Sequence, residues 1–422
     1  MKQFYLIFWS LTAISIGLWF PEKGEISNSF FGKEKIEKEK PQARKSKRVF
    51  VLKPQNHTAQ SLLLPTLQAT KTVEVNGGGS ATIGSVLNYT IDINNTGTDA
   101  TNVIFSDALS ADLTFVALSL KATPIAANDN YTSIGNVGIT VNAANGLMSN
   151  DISPDNTTLS VSPVTDATTT DGGKITIGTD GSFDYTPKTG TSSLSDTYTY
   201  TLNSTNGTTG TGTVTISISG ILWFVNNTVS TNGDGSLARP FKQWSDFGIV
   251  NTGSGLVPKD NHTVFVYSGT GDYSGAVTLR PGQKILGQGS TTSLSSFAEI
   301  SVPAFSKTLP AVNLTAPNLI SSGNTITLSS GSHKFRGFSL GNSTKAIVGS
   351  TFGTLTLDEV QISGTGQALD LTSGALAANI TSLSSTNSNG SGVSLNAVSG
   401  TLTVSVSTTI TNVISGKNYD LS

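Results

Sequence analysis

The chain has 422 residues, a formal net charge of −2 and no cysteine, so disulfides and thiolate metal sites are excluded and stability rests on burial and ladder hydrogen bonds. Only 12% of residues are charged. Gly, Ser, Thr and Asn fill the gaps between short Val, Ile and Leu runs, which is the composition of a turn-rich, all-β protein rather than a helical enzyme core. The charge is divided. From Glu22 to Lys53 ten basic residues face five acids, whereas from Pro54 onward 14 face 22, leaving that part at −8. A nucleic-acid binder carries positive charge on its folded surface; this chain does not, and no nucleic-acid partner is expected.

Lys2 precedes an uncharged, mostly apolar stretch from Phe4 to Phe20 that Pro21 closes. A charged tip followed by such a stretch reads as a secretory signal. Its length and the lack of an A-x-A site leave an uncleaved anchor open, the one membrane contact expected. Residues 1–20 are thus a signal or anchor, and residues 21–68 a charged, solvated tether without core-forming periodicity. Either way the remainder lies outside the cytoplasm.

Leu87-Asn88-Tyr89-Thr90-Ile91-Asp92-Ile93 alternates strictly, so one face is buried and the other wet. Asn94-Asn95-Thr96-Gly97-Thr98 turns the chain, and Val103-Ile104-Phe105 answers as a strand. With Tyr89 to Gly97 as Y-x-I-x-x-x-N-x-G, then Asp107-Ala108-Leu109 and Leu113-Thr114-Phe115-Val116, residues 69–120 resemble an immunoglobulin-like repeat of bacterial surface proteins, a stalk or spacer in that family.

Between 121 and 220 the order is Ala127-Asn128-Asp129-Asn130-Tyr131, Gly146 to Asp155, Asp180-Gly181-Ser182-Phe183-Asp184-Tyr185, Ser195-Asp196-Thr197-Tyr198-Thr199-Tyr200 and Gly212 to Ile218. Asp180-Gly181 is a tight hairpin turn. Phe183 and Tyr185 share one strand face, as do Tyr198 and Tyr200. This succession resembles the cadherin-like tandem repeat of large bacterial adhesins. Several repeats of that family bind calcium through Asp and Asn side chains. The resemblance therefore implies calcium as cofactor and Asp129, Asn150, Asp151, Asp155 and Asp196 as ligands, since a hard cation takes six to eight oxygens. Thr132 to Gly138 supplies no acid where the pattern has them, so affinity should be weak. The alternative is that these Asp and Asn residues simply make turns.

Residues 221–422 repeat. Gly353-Thr354-Leu355-Thr356-Leu357 returns as Gly400-Thr401-Leu402-Thr403-Val404, 47 positions on, with a weaker copy at Ala378-Asn379-Ile380. Ile347, Leu369 and Val393 are 22 and 24 apart, and Phe338 precedes Val360 by 22. A period near 23 fits one coil of a parallel β-helix, whose strands stack at about 4.8 Å. Ile221 to Asn227, Gly233-Asp234-Gly235-Ser236 to Pro240-Phe241, and Leu279 to Gly289 resemble the first coils of pectin-lyase-like right-handed β-helices. The strand at Trp223 is expected to cap the open end; no clear closing cap precedes Ser422, which leaves open a truncated reading frame or a longer full protein.

Such folds often cleave acidic polysaccharides. The candidates here are Asp358, Glu359 and Asp370, with His333, Lys334 and Arg336 one coil earlier. Neighbours in a strand point to opposite faces, so Asp358 and Glu359 should not form a catalytic pair, while Asp358 and Asp370 can share a side. Scattered surface charge is the favoured reading. The expectation is an all-β exported protein, two immunoglobulin-like sandwich modules followed by a parallel β-helix solenoid. Its adhesin-like role would be to contact a glycan or a host or cell-surface protein; the alternative is a β-helix polysaccharide lyase or hydrolase.

Overall fold

The computed structural model describes residues 66–96, 113–116 and 119–422, and the backbone of four short strands at Phe4–Tyr5, Ile14–Trp19, Arg48–Leu52 and Ile104–Phe105. Nearly all regular structure among these residues is β; the helices include α1 (Trp244–Asn251) and α2 (Leu294–Ala298). The all-β class expected from the sequence is the one adopted.

Leu67–Val75 and Val86–Asn95 pair antiparallel and bury Leu67, Ala69, Leu87, Ile91 and Ile93, the wet-and-dry alternation read from the sequence. Within the apolar N-terminal segment, Ile14–Trp19 forms a strand antiparallel to Val86–Asn95, and Arg48–Leu52 lies beside Leu67–Val75. Residues 21–47 and 53–65 of the expected tether, and the Asp107-Ala108-Leu109 motif, lie outside the described residues.

Within residues 129–225 two sheets pack as a sandwich. One orders Ile139–Val141, Phe183–Thr186, Lys174–Ile177 and Val164–Thr168, all antiparallel. The other orders Leu159–Val161, Ser193–Ser204, Thr209–Val225 and Asp129–Gly135. Asp180-Gly181 turns as expected, with Gly181 at φ +79°. Phe183 and Tyr185 point inward together, into a core with Tyr200, Leu202, Val214 and Ile216, against which Tyr198 packs.

Thr209–Val225 does not stop at the sandwich edge. Its last four residues, Leu222–Val225, pair parallel with Thr263–Val266, and from there a solenoid of about seven turns proceeds. One ladder continues through Lys284–Gly287, His333–Arg336 and Thr354–Asp358 into Gln367–Thr386 and Val393–Thr411. Two further parallel ladders complete the coil. Ile347, Leu369 and Val393 stack directly, as their spacing predicts. The copied phrase is two residues out of step: Leu402 stands on Ala378 and Leu357, whereas Leu355 stands on Leu376 and Gly400. Two residues is one full pleat, so inward side chains stay inward.

One expectation is corrected. Leu222–Val225 is the first rung, not a lid. Beneath it Trp223, Phe241, Trp244 and Phe247 form a fully buried aromatic cluster, Trp223 stacking on Phe241 with ring centroids 6.0 Å apart. Helix α1 carries two of these rings and lies against the first rungs of the other two ladders, Tyr273–Ser274 and Val277–Thr278. A ring-bearing helix closes the end that a strand would leave with unpaired backbone.

Leu357 is 1% exposed in this core. Leu357→Asp buries an unpaired charge and should cost about 3–5 kcal/mol, measured as a loss of denaturant midpoint in the full chain. A change below 1 kcal/mol would mean that this rung is not packed as described.

Candidate functional site

Asp129 opens the strand Asp129–Gly135 and is 5% exposed; Tyr200, from Ser193–Ser204, is 2% exposed. Asp151 comes from the loop that Gly146 begins. The Tyr200 hydroxyl lies 3.1 Å from Asp129 Oδ2, 3.3 Å from each Asp151 oxygen, 3.0 Å from the Ala127 carbonyl and 3.2 Å from that of Leu147. A phenol has one proton to donate. Five acceptor oxygens thus crowd one donor. Ala127 N–H donates to Asp151 Oδ1 at 2.7 Å, and Asn150 Nδ2 donates to the Asn128 carbonyl at 3.3 Å.

The electrostatics follow. Burial pushes the Asp129 carboxyl up to about 6, against the hydrogen bonds from Tyr200 and Asn150. Burial again, reinforced by the charge of Asp129, pushes Asp151 up to about 7. Burial and both acids also push the Tyr131 hydroxyl up to about 12. The site is rich in oxygen and poor in donors. That donor set suits a hard cation, although two carboxylates are a modest charge for one.

The other two expected ligands lie elsewhere. Asp155 accepts from Ala122 N at 3.0 Å and from Thr157 Oγ1 at 2.7 Å, and Asn206 also donates to it. Burial alone would raise its pKa, but these donors bring it below the usual carboxylate range. Asp196 accepts from Thr169 Oγ1, from the Asp171 and Thr197 N–H groups at 2.9 Å each, and from the Tyr185 hydroxyl at 2.8 Å. It too is lowered, its donors outweighing burial. Both carboxylates close turns. Of the five sequence-derived ligands the structure therefore groups Asp129, Asn150 and Asp151 and separates Asp155 and Asp196. Among the described residues no group of three or more acids, His or Cys converges on one point. Sequence reasoning missed Tyr200, whose pairing with Tyr198 on one face was its only signal.

On the solenoid, strand alternation fails at the pair of adjacent acids. Glu359 adopts φ +51°, outside the strand that ends at Asp358, and swings to the same side. Arg336 Nη1 meets Asp358 Oδ2 at 3.0 Å, while its Nε and Nη2 meet Glu359 at 2.8 and 2.9 Å. The Arg336 hydrogen bonds hold Glu359 down at about 2. An acid so paired is a poor proton donor. Asp370 does not share a side with Asp358; it pairs with Lys345 on another ladder. His262 accepts from Trp223 Nε1 and Lys259 N at 3.0 Å each, and burial pushes it down to about 4. The ring nitrogens of buried His333 face the Gln283 and Ser329 carbonyls at 3.2 Å.

Fold and site together define a modular all-β protein, a sandwich fused to a parallel solenoid, with an acidic oxygen cluster on the sandwich. Residues 121–220 match the bacterial cadherin-like domain, and the sandwich described above is that domain. No curated protein matched the chain, and no solved structure did. Among the described residues no helix is long and apolar enough to cross a membrane.

The pH dependence of the cluster has a defined sign. With both folded values above the ordinary 3.8, the folded protein binds more protons than the unfolded chain between about pH 4 and pH 7. The stability from this pair is complete below about pH 4 and is lost as pH rises through 6 and 7. Asp151→Asn should flatten that decline and raise stability at pH 8 by roughly 1–2 kcal/mol, after allowance for partial exposure. Thermal melts of both proteins from pH 4 to 8 check this; parallel profiles would show that the pair is not coupled to folding.

Proposed function

We propose that the chain is an exported bacterial surface protein that presents a pectin-lyase-like β-helix on sandwich stalk modules and works by adhesion. Bacterial cadherin-like domains are typically extracellular, which supports the location. The observation that carries the adhesive reading is one outward solenoid face. Its stacked columns are Gln361–Ser382–Ser407, Ser363–Ser384–Thr409 and Thr365–Thr386–Thr411. Beside it runs an open groove of about 340 Å³ whose lining includes Asn342, Gln367, Asn387 and Asn389. Hydroxyls and amides repeat at the rung spacing of about 4.8 Å. Such an array offers many weak, neutral hydrogen bonds to an extended glycan or to a protein surface.

Cadherin-like domains commonly bind calcium. Asp129 and Asp151, with Asn150 and the carbonyls of Ala127 and Leu147, are the groups that would hold it. A bound calcium ion would neutralise the two acids and tie the 146–152 loop to the strand. These residues already gather the oxygens and exclude most solvent from Asp129. Millimolar calcium should raise the melting temperature of the full chain at pH 8, by stabilising the native state alone. The rise should vanish in Asp129→Asn with Asp151→Asn. An identical melt in chelator would remove the metal.

The adhesive reading is tested by binding of the full chain to immobilised neutral glycans and to cell surfaces. Ser384→Lys with Thr386→Lys should lower capture at least fivefold while leaving the melt unchanged. No release of unsaturated or reducing ends from pectate or alginate is expected, with or without calcium. Turnover that disappears in Asp370→Ala would instead favour the lyase or hydrolase alternative.

A further inference from the structure

We infer that the cadherin-like sandwich is a mechanical clamp, built to resist tension between the segment before it and the solenoid after it. The argument rests on one pairing. Asp129–Gly135 is the first strand of this sandwich, and Thr209–Val225 is its last, the strand that leaves to become the solenoid's first rung. These two are parallel neighbours: Asp129 lies opposite Val214, Ser133 opposite Ile218 and Gly135 opposite Ile221. The other strand pairs of the sandwich are antiparallel.

Parallel terminal strands place the two loaded points at opposite ends of one ladder. Tension enters beside Asp129 and leaves beyond Ile221, so the strands are pulled along their length past each other. The ladder hydrogen bonds then share the load and must fail together. An antiparallel terminal pair would be loaded at one end and would open bond by bond.

Both ends of the clamp are reinforced. At the first, Thr213 N–H donates to Asn128 Oδ1 at 3.0 Å. At the second, Asn136 Nδ2 donates to the Leu222 carbonyl at 3.0 Å, and Gly190 N–H donates to Asn136 Oδ1 at 2.8 Å. Leu237 N–H, from the solenoid, reaches the Asn136 carbonyl at 2.8 Å. Behind this end, Ile134 and Val137 of the sandwich share a core with Leu222, Phe224, Phe265 and Leu286 of the solenoid. A second tie comes from the loop after α2. Thr140 N–H donates to the Phe305 carbonyl at 2.9 Å, and Lys307 N–H to the Gly138 carbonyl at 3.0 Å. The solenoid thus grips the sandwich directly, and load passes into the strand pair rather than into a hinge.

The geometry is independent of the surface-protein reading; only its use in a tethered adhesin rests on that reading. The test is single-molecule pulling on the full chain. The protein has no cysteine, so engineered thiols set the direction of force. Lys121→Cys with Thr231→Cys loads the pair in shear, and Lys121→Cys with Thr209→Cys loads it from one end. All three positions are exposed. At one loading rate the first pair should rupture at no less than twice the force of the second, releasing roughly 380 Å and 300 Å of extended chain. Equal forces, or a weaker first pair, would overturn the clamp. Because folding is the same in both proteins, that result would leave the adhesive reading standing. Loss of glycan capture with the force ratio intact would do the reverse.

Discussion

Everything downstream of the cadherin-like sandwich depends on one strand serving two architectures. Thr209–Val225 spends its first part in an antiparallel hairpin with Ser193–Ser204 and its last four residues as a parallel rung. The hand-over falls at Gly220, in the left-handed region at φ +71°, where the register against Asp129–Gly135 also shifts. An open solenoid end is an exposed edge that most proteins must hide. Here the chain that follows the first rung covers it: Phe224 N–H donates to the Gly235 carbonyl at 3.0 Å, Phe241 N–H to the Phe224 carbonyl at 2.9 Å and Asn226 N–H to the Phe241 carbonyl at 2.8 Å. Asp129–Gly135 lies close against the hand-over: a Cβ on Gly135 would sit 2.1 Å from the Thr191 carbonyl and 2.9 Å from that of Gly220.

The solenoid was legible because its chemistry is periodic. Ile347, Leu369 and Val393 announced the coil and stack as their spacing requires. The phrase repeated at 47 residues misplaced the register by two, since Thr alternates with Leu or Val in both copies and the phrase slips by a pleat while its apolar residues stay against the core. The fused first rung was not legible. Nothing in Ile221-Leu222-Trp223-Phe224-Val225 distinguishes a strand that covers a ladder from one that begins it; the difference lies in what precedes it, a strand of the sandwich. Glu359 was misread for a related reason. Alternation holds only while φ stays extended, and a left-handed residue directly after Asp358 turns both carboxylates toward one arginine.

The acids of the sandwich were found by resemblance but sorted by surroundings. Asp155 and Asp196 each sit among several donors, which outweigh burial and keep them charged. Asp129 and Asp151 share a single hydroxyl with two carbonyls, and burial prevails. Residue type and spacing were alike in the two groups. Donor supply, a tertiary property, decides which acids finish a turn and which pair is left wanting a counter-charge.

The buried aromatic cluster under the first rung also gives the solenoid a direction of assembly. Trp223 and Trp244 are fully enclosed there, whereas on the distal coils Val406 is 74% and Ile414 70% exposed. A coil added to an ordered neighbour closes only a loop of about twenty residues, while one formed alone has no ladder to join. Order should therefore spread from the sandwich outward, and amide exchange should quicken from rung to rung toward the distal coils. A globular domain of about a hundred residues then acts as the nucleus on which a repetitive sequence, unable to fix its own register, is laid down in only one phase.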